Sequence, residues 1–333
     1  LKGVWLNEGN YSLSQYQRVG GKGIHGGVDL RLGAPVRAGG QPATHDWSLA
    51  LLNLGLPAHA ARFTLDTRDA LALDVSYREI TQQQNNSGLS PYQGVEHLVL
   101  TDNWIPGSHS DSFDQGLIDQ PLNRELVRRK LQLEVSQRIN AVWQMTSQVA
   151  LEKQTGHRLK GMAIYTNAAN PHGVLLPTPV DQQTHHFALS SQYNDGITTA
   201  SLGYHFTEFN NHFRALTWQN PFLSGLGTAL DYPEGVGSYV SAPDYRTHQW
   251  LASAGHQLTD RIRLTLDGSA ASTRQDEHLI PLDDASGRQA DIQLPVDRLD
   301  DALKINTLRL AILTQPLRRL SVNFRYGFKQ REN

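Results

Sequence analysis

Alternation of apolar and polar residues along most of the chain is the feature that most constrains its fold. Near the C-terminus, polar or small residues separate Leu320, Val322, Phe324, Tyr326 and Phe328. Successive side chains of a β-strand point to opposite sides, so this segment has one apolar face and one polar face. No segment shows a helical period of comparable quality, and the pattern therefore predicts an all-β protein.

The same alternation predicts about twelve strands and a thirteenth at the C-terminal end. The predicted strands are residues 2–10, 24–33, 46–54, 59–67, 70–82, 126–139, 142–155, 184–194, 197–210, 245–258, 261–275, 302–315 and 319–330. Most of them are long, as is required to cross a hydrocarbon core of ~30 Å at a tilt of ~45°. Strands of this length favour a membrane barrel.

The connections alternate between tight turns and long polar stretches rich in Gly and Pro. Short periplasmic turns are expected near residues 68, 140, 195, 259 and 317, and long extracellular loops near 82–125, 156–183, 210–244 and 275–301. Bacterial outer-membrane barrels have this asymmetry. The sequence therefore predicts one domain over residues 1–333, an antiparallel transmembrane β-barrel of the bacterial outer membrane.

Two further features bear on this prediction. Aromatic residues near the strand ends fit an interfacial belt, although the core of a soluble β-sandwich would also use them. They are Trp47, Tyr77, Trp143, Tyr193, Tyr245, Trp250 and Tyr326. Single-chain bacterial barrels have an even number of strands, and the final aromatic-ended strand usual in such barrels is absent. We therefore expect this sequence to be part of a larger barrel.

Composition argues against several other classes of protein. The 333 residues include no Cys, which excludes disulfides, thiolate zinc sites, iron–sulfur clusters and covalent c-type haem attachment in this chain. The formal net charge of -2 gives no electrostatic case for nucleic-acid binding. No apolar run approaches the length of a membrane helix. Hydrolase motifs such as Gly-x-Ser-x-Gly are missing, so we do not expect an enzyme.

Two groups of residues could in principle bind haem iron or a metal ion. His185, His186 and His212 could be axial haem ligands, but solvation in the lumen or loops is favoured because no Cys-x-x-Cys-His motif holds a haem. One acidic loop could offer oxygen ligands to Ca²⁺, but its spacing fits no EF-hand and a solvated loop is favoured. Its residues are Asp283, Asp284, Asp297, Asp300 and Asp301. We therefore predict no metal or cofactor site.

The polar face of the barrel is expected to line a lumen of mixed charge. The candidate lumen-facing residues are Arg31, Arg78, Glu134, His186, Arg261, Arg263 and Arg325. These side chains could solvate a water-filled porin, or they could contact an enclosed protein through ion pairs and hydrogen bonds. The residues alone leave both interpretations open.

Several segments resemble the MtrB/PioB family of decahaem-associated outer-membrane β-barrels. The most specific is Ala215–Phe222, which follows a strand and lies in a long loop, as it does in that family. Its motif comprises Thr217, Trp218, Gln219, Asn220, Pro221 and Phe222. Residues 53–56, 100–107 and 316–322 are also similar, the last leading into an Arg325–Tyr326 pair. The likeness runs along most of the chain.

The resemblance implies a barrel of more than twenty strands that embeds and insulates a periplasmic decahaem or multihaem c-type cytochrome. Electrons would cross the outer membrane along the haems of that partner, and this chain would carry no cofactor. An extracellular multihaem cytochrome and outer-membrane lipid are further expected partners. Some relatives have an N-terminal Cys-x-x-Cys motif that this chain lacks, so its role is not transferred. A general diffusion porin for small solutes remains the alternative.

Overall fold

A computed structural model describes residues 2–6, 23–36, 45–67, 70–83, 88–107, 113–122, 125–166, 171–223, 231–278 and 298–333. Thirteen strands form one antiparallel sheet, in which they follow one another in chain order. They are β1 (Lys2–Leu6), β2 (Gly23–Val36), β3 (His45–Leu54), β4 (Ala60–Thr67), β5 (Leu71–Gln83), β10 (Glu125–Arg138), β11 (Trp143–Thr166), β12 (Pro171–Asn194), β13 (Thr198–Asn211), β16 (Tyr245–Thr259), β17 (Ile262–His278), β18 (Arg298–Leu317) and β19 (Leu320–Glu332). Each of the thirteen predicted segments overlaps one of these strands, and the all-β prediction is confirmed.

The register of the sheet carries the alternation from strand to strand. Leu131 of β10 lies opposite Tyr77 of β5 and Leu151 of β11, and all three point to the same side. One position along, Gln132 lies opposite Ser76 and points to the other side. We call the apolar side the outer face and the polar side the inner face. Because directly opposed residues share a face, the two faces remain distinct across the whole sheet.

The two ends of the sheet differ in their connections. Tight connections join β4 to β5, β10 to β11, β12 to β13, β16 to β17 and β18 to β19 at one end, which we call the short-turn end. The connections from β5 to β10 and from β13 to β16 are much longer and lie at the opposite end. Among the described residues, no helix is long and apolar enough to cross a membrane.

Residues 156–183 were expected as a loop, but residues 156–166 and 171–183 form strands, and the expectation is wrong for them. β11 and β12 continue to pair as far as Thr166 and Pro171, whereas β10 and β13 stop pairing at Leu126 and Asn211. Residues 157–166 and 171–180 therefore project beyond the sheet as a two-stranded ribbon, which we call the hairpin extension.

Prolines explain why sequence patterning does not predict the hairpin extension. Pro177 and Pro179 lie in β12 opposite Leu159 and His157. Proline lacks the N–H group that a central strand needs, so it is typical of loops and edge strands. Within the described residues β12 has no second neighbour along this stretch, and the prolines are tolerated there.

A glycine marks the point at which the hairpin extension leaves the sheet. Gly156 lies opposite Leu126 at the end of β10 and has a φ of +132°, which side-chain-bearing residues rarely adopt. A Cβ atom at this position would lie 2.0 Å from the carbonyl oxygen of Glu125. Only glycine therefore allows this close approach of the two backbones.

The long connections from β5 to β10 and from β13 to β16 fold together instead of forming open loops. They contain β6 (Leu89–Ser90), β7 (Tyr92–Gln93), β8 (His97–Leu100), β9 (Gln120–Pro121), β14 (Ala215–Gln219) and β15 (Val236–Val240). Four of these strands form a small sheet in the order β15-β14-β8-β7, in which β8 and β14 are parallel. We call residues 88–107, 113–122, 213–223 and 231–240 the cap.

The main hydrophobic core of the described residues lies in the cap. Its buried members are Tyr92, Leu98, Leu100, Trp104, Leu216, Trp218 and Phe222 of the cap together with Leu176 of the hairpin extension. Met162 and Val174 pack against this cluster. Leu176, Met162 and Val174 all point to the inner side of the hairpin extension, so the cap rests on that side. The cap therefore lies beyond the ends of the neighbouring strands.

Candidate functional site

The inner face is lined with hydroxyl groups that hydrogen-bond across neighbouring strands. Each pair consists of residues directly opposite or nearly opposite one another in the register. The pairs are Ser48–Thr64 (2.7 Å), Ser136–Thr146 (3.2 Å), Ser201–Ser253 (2.7 Å), Thr247–Thr273 (2.9 Å) and Ser269–Thr307 (2.6 Å). Such cross-strand pairs stabilise a sheet modestly. They also leave a face suited to water or to a polar protein surface rather than to lipid.

Arg62 and Arg128 form ion pairs that join inner-face charges on adjacent strands. Arg62 of β4 pairs with Asp74 of β5. Arg128 of β10 donates two hydrogen bonds to Glu152 of β11, with Nε–Oε1 and Nη2–Oε2 distances of 2.6 and 2.8 Å. Because both arginine side chains are largely exposed, water screens these charges and each pair stabilises the sheet only weakly. Their main effect is to hold these side chains along the wall.

Three other cations on this face lie around one pocket of about 400 Å³. Arg31, Arg78 and Lys130 line the pocket together with small residues such as Ala60 and Ser76. Arg78 and Lys130 are directly opposite each other on β5 and β10. None of the three makes an ion pair within the described part of the chain. We call them the inner basic cluster, a site with positive charge to offer to an anion.

Six of the seven candidate lumen residues share the inner face. They are Arg31, Arg78, Glu134, His186, Arg263 and Arg325, as the register of their strands shows. Arg261 is the exception, because it lies in the exposed turn between β16 and β17. Alternation did not single out Arg62, Arg128 and Lys130 as lumen candidates. All three nevertheless occupy inner positions of strands that it predicted.

The candidate haem-ligand histidines do not converge. His185 lies on the outer face, where its Nδ1 is 3.2 Å from a carboxylate oxygen of Glu208. His186 lies on the inner face, where its ring centroid is 5.8 Å from that of His205. His212 follows the end of β13 and is exposed.

The acidic group proposed for Ca²⁺ is divided in the structure. The backbone of Asp300 and Asp301 belongs to β18 and not to a loop. Asp283, Asp284 and Asp297 lie outside the described residues. Within the described ranges, no group of three or more His, Asp or Glu side chains is arranged to hold a metal ion.

The segment most similar to the family motif lies at the centre of the cap. The Gln219 side-chain oxygen accepts a hydrogen bond from the backbone N–H of Leu100 (2.8 Å), and its carbonyl accepts one from the Tyr92 hydroxyl (3.0 Å). Trp104 Nε1 donates to the carbonyl of Pro221 (3.1 Å). These bonds join two chain segments that are about 120 residues apart. Burial raises the pKa of Tyr92, so its hydroxyl stays a donor.

The neighbouring motif residues continue this junction. Thr217 is hydrogen-bonded to His97 (2.7 Å) in the parallel pair of β8 and β14, and the Asn220 side-chain oxygen accepts from the backbone N–H of Phe222 (3.0 Å). Phe222 is also bridged to Gly107. Segments 100–107 and 215–222, both singled out by their sequence, therefore pack against each other and build the cap.

The outer face carries paired aromatic rings and large apolar side chains, as a membrane surface does. Trp143 and Tyr193 lie together at the short-turn end with ring centroids 5.1 Å apart, and Tyr204 and Trp250 form a second pair at 4.6 Å. Tyr245, which was expected in the belt, instead stacks on an inner-face phenylalanine. Large aliphatic side chains of the central strands remain exposed on this face.

Comparison with known proteins relates this architecture to one family. Residues 21–333 match the family model described as "Putative outer membrane beta-barrel porin, MtrB/PioB". A curated relative, outer membrane protein MtrB of Shewanella baltica (strain OS185), is 23% identical over 291 residues, which cover 86% of this chain and 39% of the relative. The chain thus spans about two fifths of that relative's length.

Solved outer-membrane proteins also match this chain, at low sequence identity and with TM-scores below 0.5. The trimer form of OmpT from Vibrio cholerae is 8% identical with a TM-score of 0.33, over 91% of this chain and 87% of that one. The siderophore receptor PiuA from Acinetobacter baumannii is 11% identical with a TM-score of 0.44, over 96% and 53%. With a family model that matches nearly the whole sequence, this outer-membrane β-barrel chain belongs to the MtrB/PioB family.

Proposed function

We propose that the inner face of this barrel encloses a multihaem c-type cytochrome and insulates its haems from lipid, so that electrons can cross the outer membrane. The observation that carries this proposal is the inner basic cluster of Arg31, Arg78 and Lys130. These cations face the lumen with no ion pair of their own in the described residues, and a protein partner with acidic groups would satisfy them. Membership of the MtrB/PioB family supports the same assignment.

In this proposal the chain is a scaffold rather than an enzyme or an electron carrier. The c-type haems belong to the partner, because this sequence contains no Cys to attach them. The wall supplies hydroxyl groups and ion-paired side chains that hydrogen-bond to a protein surface at little cost, since they already lie in fixed positions. The apolar outer face contacts the lipid that surrounds the assembly.

The cap gives the proposed assembly a defined outer surface. It rests on the hairpin extension rather than between the strands, as its contacts with Met162, Val174 and Leu176 indicate. A loop that constricted the lumen within the membrane would instead favour a diffusion porin. An extracellular multihaem cytochrome would meet the cap and the hairpin extension first.

The visible spectrum of the purified protein tests the proposal. The tagged chain is extracted from outer membranes in mild detergent, and its absorbance is recorded across the size-exclusion peak. A c-type Soret band that co-migrates with this Cys-free chain is the expected result. A colourless, folded barrel that conducts ions in planar bilayers would instead establish a porin.

A histidine variant tests whether the chain itself carries electrons. His186 faces the lumen beside His205, so it is the side chain best placed to mimic a haem ligand. We expect His186→Ala to leave transmembrane electron transfer within about twofold of wild type, because the haem ligands belong to the partner. Loss of transfer in a variant whose barrel and cytochrome remain assembled would contradict the scaffold role.

A further inference from the structure

Three cations stand side by side on the outer face of β16, β17 and β18. Arg246 and Arg274 are directly opposite each other. Lys304 lies on the next strand, two positions from Ala302, the residue opposite Arg274. All three side chains are exposed. We call Arg246, Arg274 and Lys304 the outer basic cluster, which lies on the opposite face of the sheet from the inner basic cluster.

Among the side chains that the structure describes, the carboxylates nearest to this cluster are already engaged. Glu208 accepts a hydrogen bond from Arg246 at 2.8 Å and also contacts His185. Asp276 pairs with Arg298 at the end of β18. Glu332, which lies opposite Lys304 in the register, accepts a hydrogen bond from Gln330 at 2.7 Å.

Two of the three cations are therefore left without a counter-ion. Arg274 and Lys304 make no ion pair within the described residues, and Arg274 directly faces a second arginine. Like charges directly opposite each other destabilise a sheet unless an anion lies between them. The arrangement of these side chains thus points to a shared anion.

The depth of the cluster identifies where that anion comes from. From Ile262 to Arg274, β17 rises roughly 40 Å at ~3.3 Å per residue, or about 28 Å across the membrane at a tilt of ~45°. The outer-face side chains between them are apolar or small, among them Leu264, Leu266 and Ala270. Because an outer-membrane barrel has an apolar band ~25 Å tall, Arg274 lies at the level of the headgroups.

We propose that the outer basic cluster binds the phosphate groups of a lipid headgroup in the leaflet at the cap end. Arginine forms paired hydrogen bonds with phosphate oxygens, and the long lysine stem can reach along the apolar surface to the same level. Since outer-membrane barrels place their long loops outside the cell, the lipid belongs to the outer leaflet. This site is independent of the cytochrome proposal, which concerns the inner face.

Native mass spectrometry of the detergent-purified barrel tests the proposal. The probes are lipid A with two phosphates, lipid A with one phosphate, and inorganic phosphate. The test variant is Arg274→Gln/Lys304→Gln. The matched control is Arg309→Gln/Lys329→Gln, which removes the same charge from inner positions of β18 and β19. Heat-modifiable migration on gels shows that each variant is folded.

We expect the test variant to bind two-phosphate lipid A at least tenfold more weakly than wild type, while the control variant binds as wild type does. Binding should also weaken with added salt. Wild type should bind lipid A with one phosphate more weakly than lipid A with two phosphates. Equal losses in both variants, or no loss in the test variant, would overturn the proposal. Binding of inorganic phosphate as tight as that of lipid A would replace the lipid site with a free-anion site.

Discussion

At the residue scale, the cap depends on a glycine beneath an indole ring. Gly237 of β15 lies opposite Trp218 of β14, and a Cβ atom there would lie 2.3 Å from two carbons of that ring. We expect Gly237→Ala to destabilise the cap by about 1–3 kcal/mol, because overpacking forces the indole to move. Protease cleavage within the cap should accelerate while the barrel keeps its heat-modifiable migration. Gly327→Ala, with no atom near its added methyl group, is the control.

Asp195 fixes the turn between β12 and β13, and its charge makes that turn sensitive to pH. Its carboxylate accepts hydrogen bonds from the backbone N–H of Thr198 (2.6 Å), the Tyr193 hydroxyl (2.8 Å) and the backbone N–H of Ile197 (2.9 Å). These bonds lower the pKa of Asp195 below its ordinary 3.8. Because the folded-state pKa is the lower one, this stabilisation is present above the ordinary pKa and is lost as pH falls through the folded-state pKa.

The pH dependence of unfolding tests this assignment. We expect the difference in urea midpoint between wild type and Asp195→Ala to shrink between about pH 6 and about pH 3. Asp260→Ala is the matched control in the turn between β16 and β17, since its carboxylate accepts no hydrogen bond in the described residues. If the urea midpoint of Asp195→Ala differed from that of wild type by the same amount at both pH values, the role given to the carboxylate would be contradicted.

At the scale of elements, the hairpin extension supports the cap through one of its two faces. Leu176 points inward and is 0% exposed in the cap core, whereas its neighbour Leu175 points outward and is 62% exposed. We expect Leu176→Ala to destabilise the cap by about 2–5 kcal/mol, because it leaves a cavity in a packed core. Leu175→Ala should change cap stability by less than about 0.5 kcal/mol. Hydrogen exchange of cap amides in each variant measures both effects.

Sequence patterning predicted the sheet strands far better than the cap and the hairpin extension. Alternation is a local signal, so strands such as β10 and β17 are recognisable from their own residues. The cap instead depends on pairs such as His97–Thr217 and Leu100–Gln219, whose partners are distant in the chain. Its strands are also only two to five residues long, too short for alternation to reveal them.

At the scale of the whole molecule, six of the seven lumen candidates that alternation named lie on the inner face, but alternation could not identify which inner-face residues act together. Glu134 and Arg325 were placed on the inner face because the period of a strand is two. Alternation does not predict the inner basic cluster as a unit, because the position of Arg78 opposite Lys130 depends on the register between β5 and β10. Register follows from pairing across the sheet, which a single strand does not specify.

The opposite character of the two faces predicts how the whole barrel responds to a new charge. Val149 and Gln148 are adjacent in β11, but Val149 points outward near the middle of the apolar band and Gln148 points inward. We expect Val149→Arg to destabilise the membrane-inserted barrel by about 2–4 kcal/mol, because its charge must lie in hydrocarbon. Gln148→Arg should be tolerated, since the inner face already holds arginines. The heat-modifiable fraction in outer membranes measures insertion, and equal loss in both variants would contradict the assignment of the faces.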